Sequence, residues 1–171
     1  LRLVKMDYNH APFRYIGSEQ DANFRMDTKT ADGEKVSLSI GGRVDRMDNK
    51  NGTIEIIDYK TGGKPDSPND VESLFSPIGK RSGYIFQAML YSAAVSMTNK
   101  DVKVSPSLLY IHKQSQALRE DFVVRINKQP VADYSQYHDE FINNLQNTLD
   151  EIFDINVPFH CTEETDRCTY C

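Results

Sequence analysis

The stretch Gly41-Gly42-Arg43-Val44-Asp45-Arg46-Met47-Asp48, answered by Thr53-Ile54-Glu55-Ile56-Ile57-Asp58-Tyr59-Lys60-Thr61-Gly62, decides the fold. Both arms read as strands. Asn51-Gly52 between them is the strongest short-range signal for a two-residue hairpin turn. Such a hairpin places Asp45 near Asp58 on the neighbouring strand. Asp58 and Lys60 are two residues apart and share a face, while Tyr59 points away. Glu55 falls on the opposite face from Asp58. Val44, Ile54, Ile56 and Ile57 make the hairpin apolar, and charges at the ends of buried strands are costly unless paired or coordinating.

Two carboxylates and an ammonium at one point suit a divalent cation and a negatively charged reacting group. Phosphodiester hydrolysis needs an activated water and relief of the charge that builds on phosphate. Mg²⁺ serves both needs and prefers carboxylate and water oxygens. In that chemistry Asp45 and Asp58 are the carboxylate ligands and the Tyr59 carbonyl is an available backbone oxygen. Lys60 orients the water or neutralises developing charge.

Outward from the hairpin, Phe13 to Ser18 and Asn23 to Thr30 read as strands. Ala31-Asp32-Gly33-Glu34 is a turn into Val36 to Ile40, which runs on through Gly41-Gly42 to Asp45. Paired glycines there point to a bulge or a close backbone approach. Gly62 to Gly83 is a Pro- and Gly-rich loop beside the proposed site, with a short helix around Asp70 to Phe75. Tyr84 to Met97 has helical spacing and no Gly or Pro. Gln87 and Tyr91, at i and i+4, share a face of that helix. Val104 to His112 reads as a buried strand and Asp121 to Ile126 as a further one. Tyr134 to Phe153 is an amphipathic helix with a core stripe of Phe141, Leu145, Leu149, Ile152 and Phe153. No helix is read before Phe13, because His10 precedes Ala11-Pro12.

The pattern G-x-x-D-R-x-D, then I-I-D-Y-K-T-G, then Gln87-x-x-x-Tyr91, resembles the RecB-type (RecB/AddB-like) branch of the PD-(D/E)XK nuclease superfamily, from about Glu19 to Cys171. The resemblance implies a restriction-endonuclease-like fold, an α/β (α+β) class with a mixed sheet flanked by helices. It implies catalysis by Asp45, Asp58, Lys60, Gln87 and Tyr91. Metal binding would fall to Asp45, Asp58 and the Tyr59 carbonyl, with Glu19 as a supporting acid where its strand begins. The cofactor would be Mg²⁺ or Mn²⁺ and the substrate DNA. The partner would be a helicase domain or subunit, in double-strand break repair and recombination. Relatives usually add a His or Glu from a helix before the first strand, and that helix is read here as missing. The expected layout is therefore a nuclease domain over 1–158 and a cysteine-containing tail over 159–171.

Cys161, Cys168 and Cys171 are the chain's three cysteines, all in that tail. Disulfides are not expected in a cytoplasmic protein. Zinc or an iron–sulfur cluster is the sharper option, and each wants four ligands. His160 is a candidate fourth for zinc. RecB-type relatives with a [4Fe–4S] cluster place one Cys well upstream and three at the C-terminus, beginning with a C-x-x-C. Here the C-x-x-C falls on the last residue and no upstream Cys is present, so the tail reads as a truncated motif.

Composition sets the remaining bounds. The 171 residues, 39% hydrophobic and 26% charged, describe one ordinary globular domain. No apolar run is long enough for a membrane span, and no signal peptide is visible. A net charge of −5 argues against a freestanding high-affinity DNA binder. Lys64, Lys80, Arg81 and Lys113 are the candidates for a local basic rim. The start at Leu1 and the end at Cys171 read as a fragment of a longer, cytoplasmic polypeptide. Two alternatives stay open: a stand-alone CRISPR-associated-type exonuclease, and a catalytically silent DNA-binding module with the nuclease fold.

Overall fold

The computed structural model describes residues 2–30, 32–79, 82–111 and 118–160. Three strands, β1 (Arg14–Lys29), β2 (Lys35–Lys50) and β3 (Thr53–Lys60), form an antiparallel meander. β4 (Val104–Tyr110) adds parallel to β3, giving the order β1-β2-β3-β4. The crossover between the parallel strands runs through α2 (Gly83–Thr98), as a parallel pair requires. β5 (Arg125–Ile126) and β6 (Gln129–Pro130) make a separate small hairpin. α3 (His138–Phe153) follows a 3₁₀ turn at Tyr134–Tyr137. This is the α+β, mixed-sheet architecture with flanking helices that the sequence implies.

Local chemistry explains these elements. The β2–β3 turn has φ of 52° at Asn51 and 84° at Gly52, the positive pair that a tight primed turn demands and that Asn-Gly tolerates. β3 buries Ile54, Ile56 and Ile57, and every residue of β4 is buried. α2 is apolar nearly all round, with Ile85, Ala88, Met89, Ala93, Ala94 and Val95 buried, so it lies within the protein rather than on its surface. It packs on the sheet, and Phe86 carries its other side to Phe75 and Phe141, with ring centroids 5.2 to 5.7 Å apart. The stripe on α3 is deepest at Phe141 and Leu145, whereas Ile152 is largely exposed.

Gly41 sits opposite Asn23 of β1. Its φ is +146°, and a Cβ there would lie 2.0 Å from the Ala22 carbonyl oxygen. Gly41→Ala is expected to destabilise the protein by about 2 kcal/mol or more, from backbone strain alone, with urea denaturation as the measurement.

The structure corrects three expectations. First, a helix does precede Phe13: α1 (Arg2–His10) ends before Pro12, and Ala11 N–H closes its last turn on the Asp7 carbonyl at 3.0 Å. It is held by long-range contacts, burying Met6 and His10 and pairing Asp7 with distant arginines. Second, most of Asp121 to Ile126 is not a strand. Arg119–Phe122 is a 3₁₀ turn in which the Asp121 carboxylate accepts a hydrogen bond from Leu118 N–H at 2.9 Å, and after it only an isolated bridge from Val123 to Ser107 and the short β5 are sheet-like. Third, the two strands read from Phe13 to Thr30 are one continuous β1, paired with β2 along its length.

Candidate active site

Asp45 and Asp58 project from adjacent strands onto one face of the sheet. Arg46 pairs with Ile57 and Met47 with Ile56, so the next position brings the two aspartates side by side. The Asp45 Oδ2 accepts a hydrogen bond from the Tyr59 backbone N–H at 2.7 Å, which ties the end of β3 to β2 at the site. Asp58 is 4% exposed. Its Oδ2 is sealed from solvent and meets the Lys60 ammonium in an ion pair, with no other hydrogen-bond partner among the described residues. Burial pushes the Asp58 carboxyl above its ordinary range, and the Asp45 charge adds to this, while Lys60 pulls the other way.

α2 closes the site from above. The Lys60 ammonium donates to Gln87 Oε1 at 2.7 Å, and Gln87 Nε2 donates to the Tyr91 hydroxyl at 3.0 Å. Burial raises the Tyr91 phenol above its usual pKa, and the charges of Asp58 and Asp45 reinforce this, keeping it protonated. The Tyr91 ring rests on Gly42, where an added Cβ would stand 3.0 Å from its hydroxyl and ring carbon. An unbroken chain of contacts thus links Asp58, Lys60, Gln87 and Tyr91, with Asp45 joined through the Tyr59 backbone.

Not every expected residue joins this cluster. Glu19 lies between the Ser18–Arg46 and Gln20–Val44 pairs, beside Asp45 in register. It is exposed and has a left-handed φ of 52°. Lys64 is exposed near the site. Lys80, Arg81, Lys113, Cys161, Cys168 and Cys171 fall outside the described residues. The last residue of α1, His10, belongs to the opposite face of the sheet, where it contacts Glu55 at 2.8 Å.

That opposite face carries an ion-pair network whose partners lie far apart in the sequence. Asp48 is fully buried and accepts from Arg46 at 2.8 and 3.0 Å and from Arg119 at 3.0 Å. Asp7 bridges the same two arginines, and Arg119 also reaches Glu55 at 3.2 Å. Arg46 lies over the Phe13 ring at 5.3 Å and approaches the Tyr59 hydroxyl at 3.5 Å. The network pins α1 and the Arg119–Phe122 turn to the back of the strands that present Asp45 and Asp58. One signal was legible: Arg46 and Asp48 alternate with Asp45 and Met47, so they must face away from the site.

The donor set fits a hard cation in part. Two carboxylates converge, and one buried oxygen lacks a full complement of partners. Among the described residues no group of three or more His, Cys, Asp or Glu side chains could hold a metal ion. A cation here would therefore take its remaining ligands from water and backbone oxygen, as Mg²⁺ commonly does.

The four-stranded mixed sheet with flanking helices carries a D-x-K pair near the end of β3 and a facing aspartate within β2. The chain belongs to the PD-(D/E)XK nuclease superfamily, whose family model matches residues 2–171. No curated protein matches the chain. No helix among the described residues is long and apolar enough to cross a membrane.

Proposed function

We propose that this chain is a Mg²⁺- or Mn²⁺-dependent deoxyribonuclease domain of the helicase-associated, RecB/AddB-like kind, acting on DNA ends in repair and recombination. The observation that carries the reading is the buried Asp58 carboxylate, sharing one face with Asp45 and paired with Lys60. Asp45, Asp58 and the Tyr59 carbonyl would hold the cation, which when bound supplies an acidified water and neutralises phosphate charge.

The chain's own groups do the positioning. Lys60 has three N–H donors. One is spent on Asp58 and one on Gln87, and the third, with no hydrogen-bond partner among the described residues, would meet a water or a phosphoryl oxygen. Gln87 is fixed at both ends of its amide, by Lys60 and by Tyr91, so it holds the ammonium in place without carrying charge itself. Burial of this cluster strengthens each electrostatic contact relative to water. The net charge of −5 leaves much of the DNA affinity to a neighbouring helicase domain or subunit.

The test is cleavage of labelled single- and double-stranded oligonucleotides by the purified chain, with Mg²⁺, with Mn²⁺ and with EDTA. Cleavage should require the metal and fall by roughly 10²- to 10³-fold in Lys60→Ala. Metal-independent cleavage, or a fully active Lys60→Ala, would reject the proposal.

A further inference from the structure

Close to the C-terminal end of β3 lies a cavity of about 350 Å³ lined by Lys64, Asp66, Ser82, Tyr84, Ile85 and Tyr110. It adjoins the candidate active site through Tyr84, which lines it and contacts Lys60. The Lys60 ammonium that pairs with Asp58 also sits 4.4 Å from the centroid of the Tyr84 ring. Tyr110 is the register partner of Lys60 on β4. Tyr84 is nevertheless 43% exposed, unusual for a large aromatic side chain so close to the core. The loop leaving β3 is shaped to this ring: Gly63 has a φ of +82°, and a Cβ there would come within 2.8 Å of Tyr84 and 3.8 Å of Tyr110. Glycine lets the backbone lie against the aromatic wall.

The floor and one side are apolar, from Ile85 and the buried Tyr110. A polar edge is supplied by the Ser82 hydroxyl, which donates to the Asp66 carboxylate. Lys64 stands exposed at the rim. An aromatic face, a hydroxyl–carboxylate edge and a peripheral ammonium match a flat heteroaromatic ring carrying polar edges and an attached phosphate. The volume is at the small end of ligand pockets, suited to one nucleoside and not to a base pair. Lys60 lies between this cavity and the aspartates, so a nucleotide whose phosphate reached the aspartates would direct its base towards Tyr84.

We infer that the Tyr84–Tyr110 cavity is a nucleobase subsite, in which Tyr84 stacks on one unpaired base of the nucleotide adjoining the scissile phosphate. This rests on the nuclease reading and deepens it. The subsite makes cleavage depend on a base that has left its duplex, so frayed or single-stranded ends are the substrates it favours.

The experiment measures binding of the full chain to fluorescent single-stranded oligonucleotides in EDTA, so that nothing is cleaved, with a single abasic site scanned along the strand. Wild-type affinity is expected to fall roughly tenfold when the abasic site reaches the subsite position. Tyr84→Ala should lose a similar factor on the intact strand and little more on the abasic one, while Tyr84→Phe should behave as wild type. A wild type indifferent to the abasic site at every position, or with no measurable binding, would overturn the inference. So would a Tyr84→Ala that loses affinity equally for intact and abasic strands, since Tyr84 would then serve only to place Lys60. Parallel Mg²⁺ assays separate the two readings. Base discrimination without cleavage would sink the nuclease role alone, and cleavage without discrimination would sink the subsite alone.

Discussion

Asp58→Asn is expected to lower metal-dependent DNA cleavage by about 10³-fold while raising the melting temperature of the metal-free protein. The two effects have one cause. Asp58 is held in a nearly dry setting, with its carboxyl pushed up first by burial and then by Asp45. A folded-state pKa above that of the unfolded chain means that the carboxylate's ionisation costs stability as pH rises past its usual range. The amide keeps the shape and removes that cost, yet it cannot serve as an anionic ligand, and it leaves Lys60 without its counter-charge. Loss of a preorganised group that acts on the transition state commonly costs 10²- to 10³-fold, and losing a metal ligand adds to that. Calorimetry without metal and initial-rate cleavage assays with it check the two halves. An Asp58→Asn protein that is both less stable and fully active would contradict the account.

Asp48→Ala is expected to produce the largest loss of stability, about 3 to 5 kcal/mol, although Asp48 touches nothing in the candidate active site. Its carboxylate is fully buried between Arg46 and Arg119. Removing it leaves both guanidiniums crowded on one side of the sheet, with only Asp7 and Glu55 to share. Breaking one partner of a buried network costs far more than the network's net worth, because the survivors stay buried and under-compensated. The contrast is Asp21→Ala, which breaks the exposed Arg43–Asp21 pair and should cost under about 1 kcal/mol. Urea denaturation of the two variants measures both. Equal effects would mean that the back-face network contributes no more than a surface pair.

What could be read from the sequence followed the range of the forces involved. The β2–β3 hairpin was legible because its determinants are local: β-branched residues at alternate positions and an Asn-Gly turn. The sharing of a face by Asp58 and Lys60, and by Gln87 and Tyr91, followed from strand and helix periods. The meeting of those two pairs through the 2.7 Å Lys60–Gln87 bond depends on how α2 crosses the sheet, which the family resemblance supplied and periodicity did not.

Ala11-Pro12 reads as an obstacle to a helix before Phe13, whereas α1 simply ends before it. Its stabilising partners, Arg46 and Arg119, lie far along the chain. Asp121 to Ile126 reads as a strand from its alternation, but a hydrogen bond from Leu118 N–H to the Asp121 carboxylate draws its first two residues into the Arg119–Phe122 turn. Tyr84 carried a usable signal, since it precedes Gln87 by one helical turn and so shares its face. Its exposure, and the cavity beside it, required the fold.

The most direct measurement is Mn²⁺ binding to wild type and to the Asp45→Asn/Asp58→Asn double variant, followed by titration calorimetry at neutral pH. The account predicts saturable binding by the wild type that disappears in the variant, with the folded structure retained by circular dichroism. Undiminished binding in the double variant would show that these two aspartates do not form the cation site.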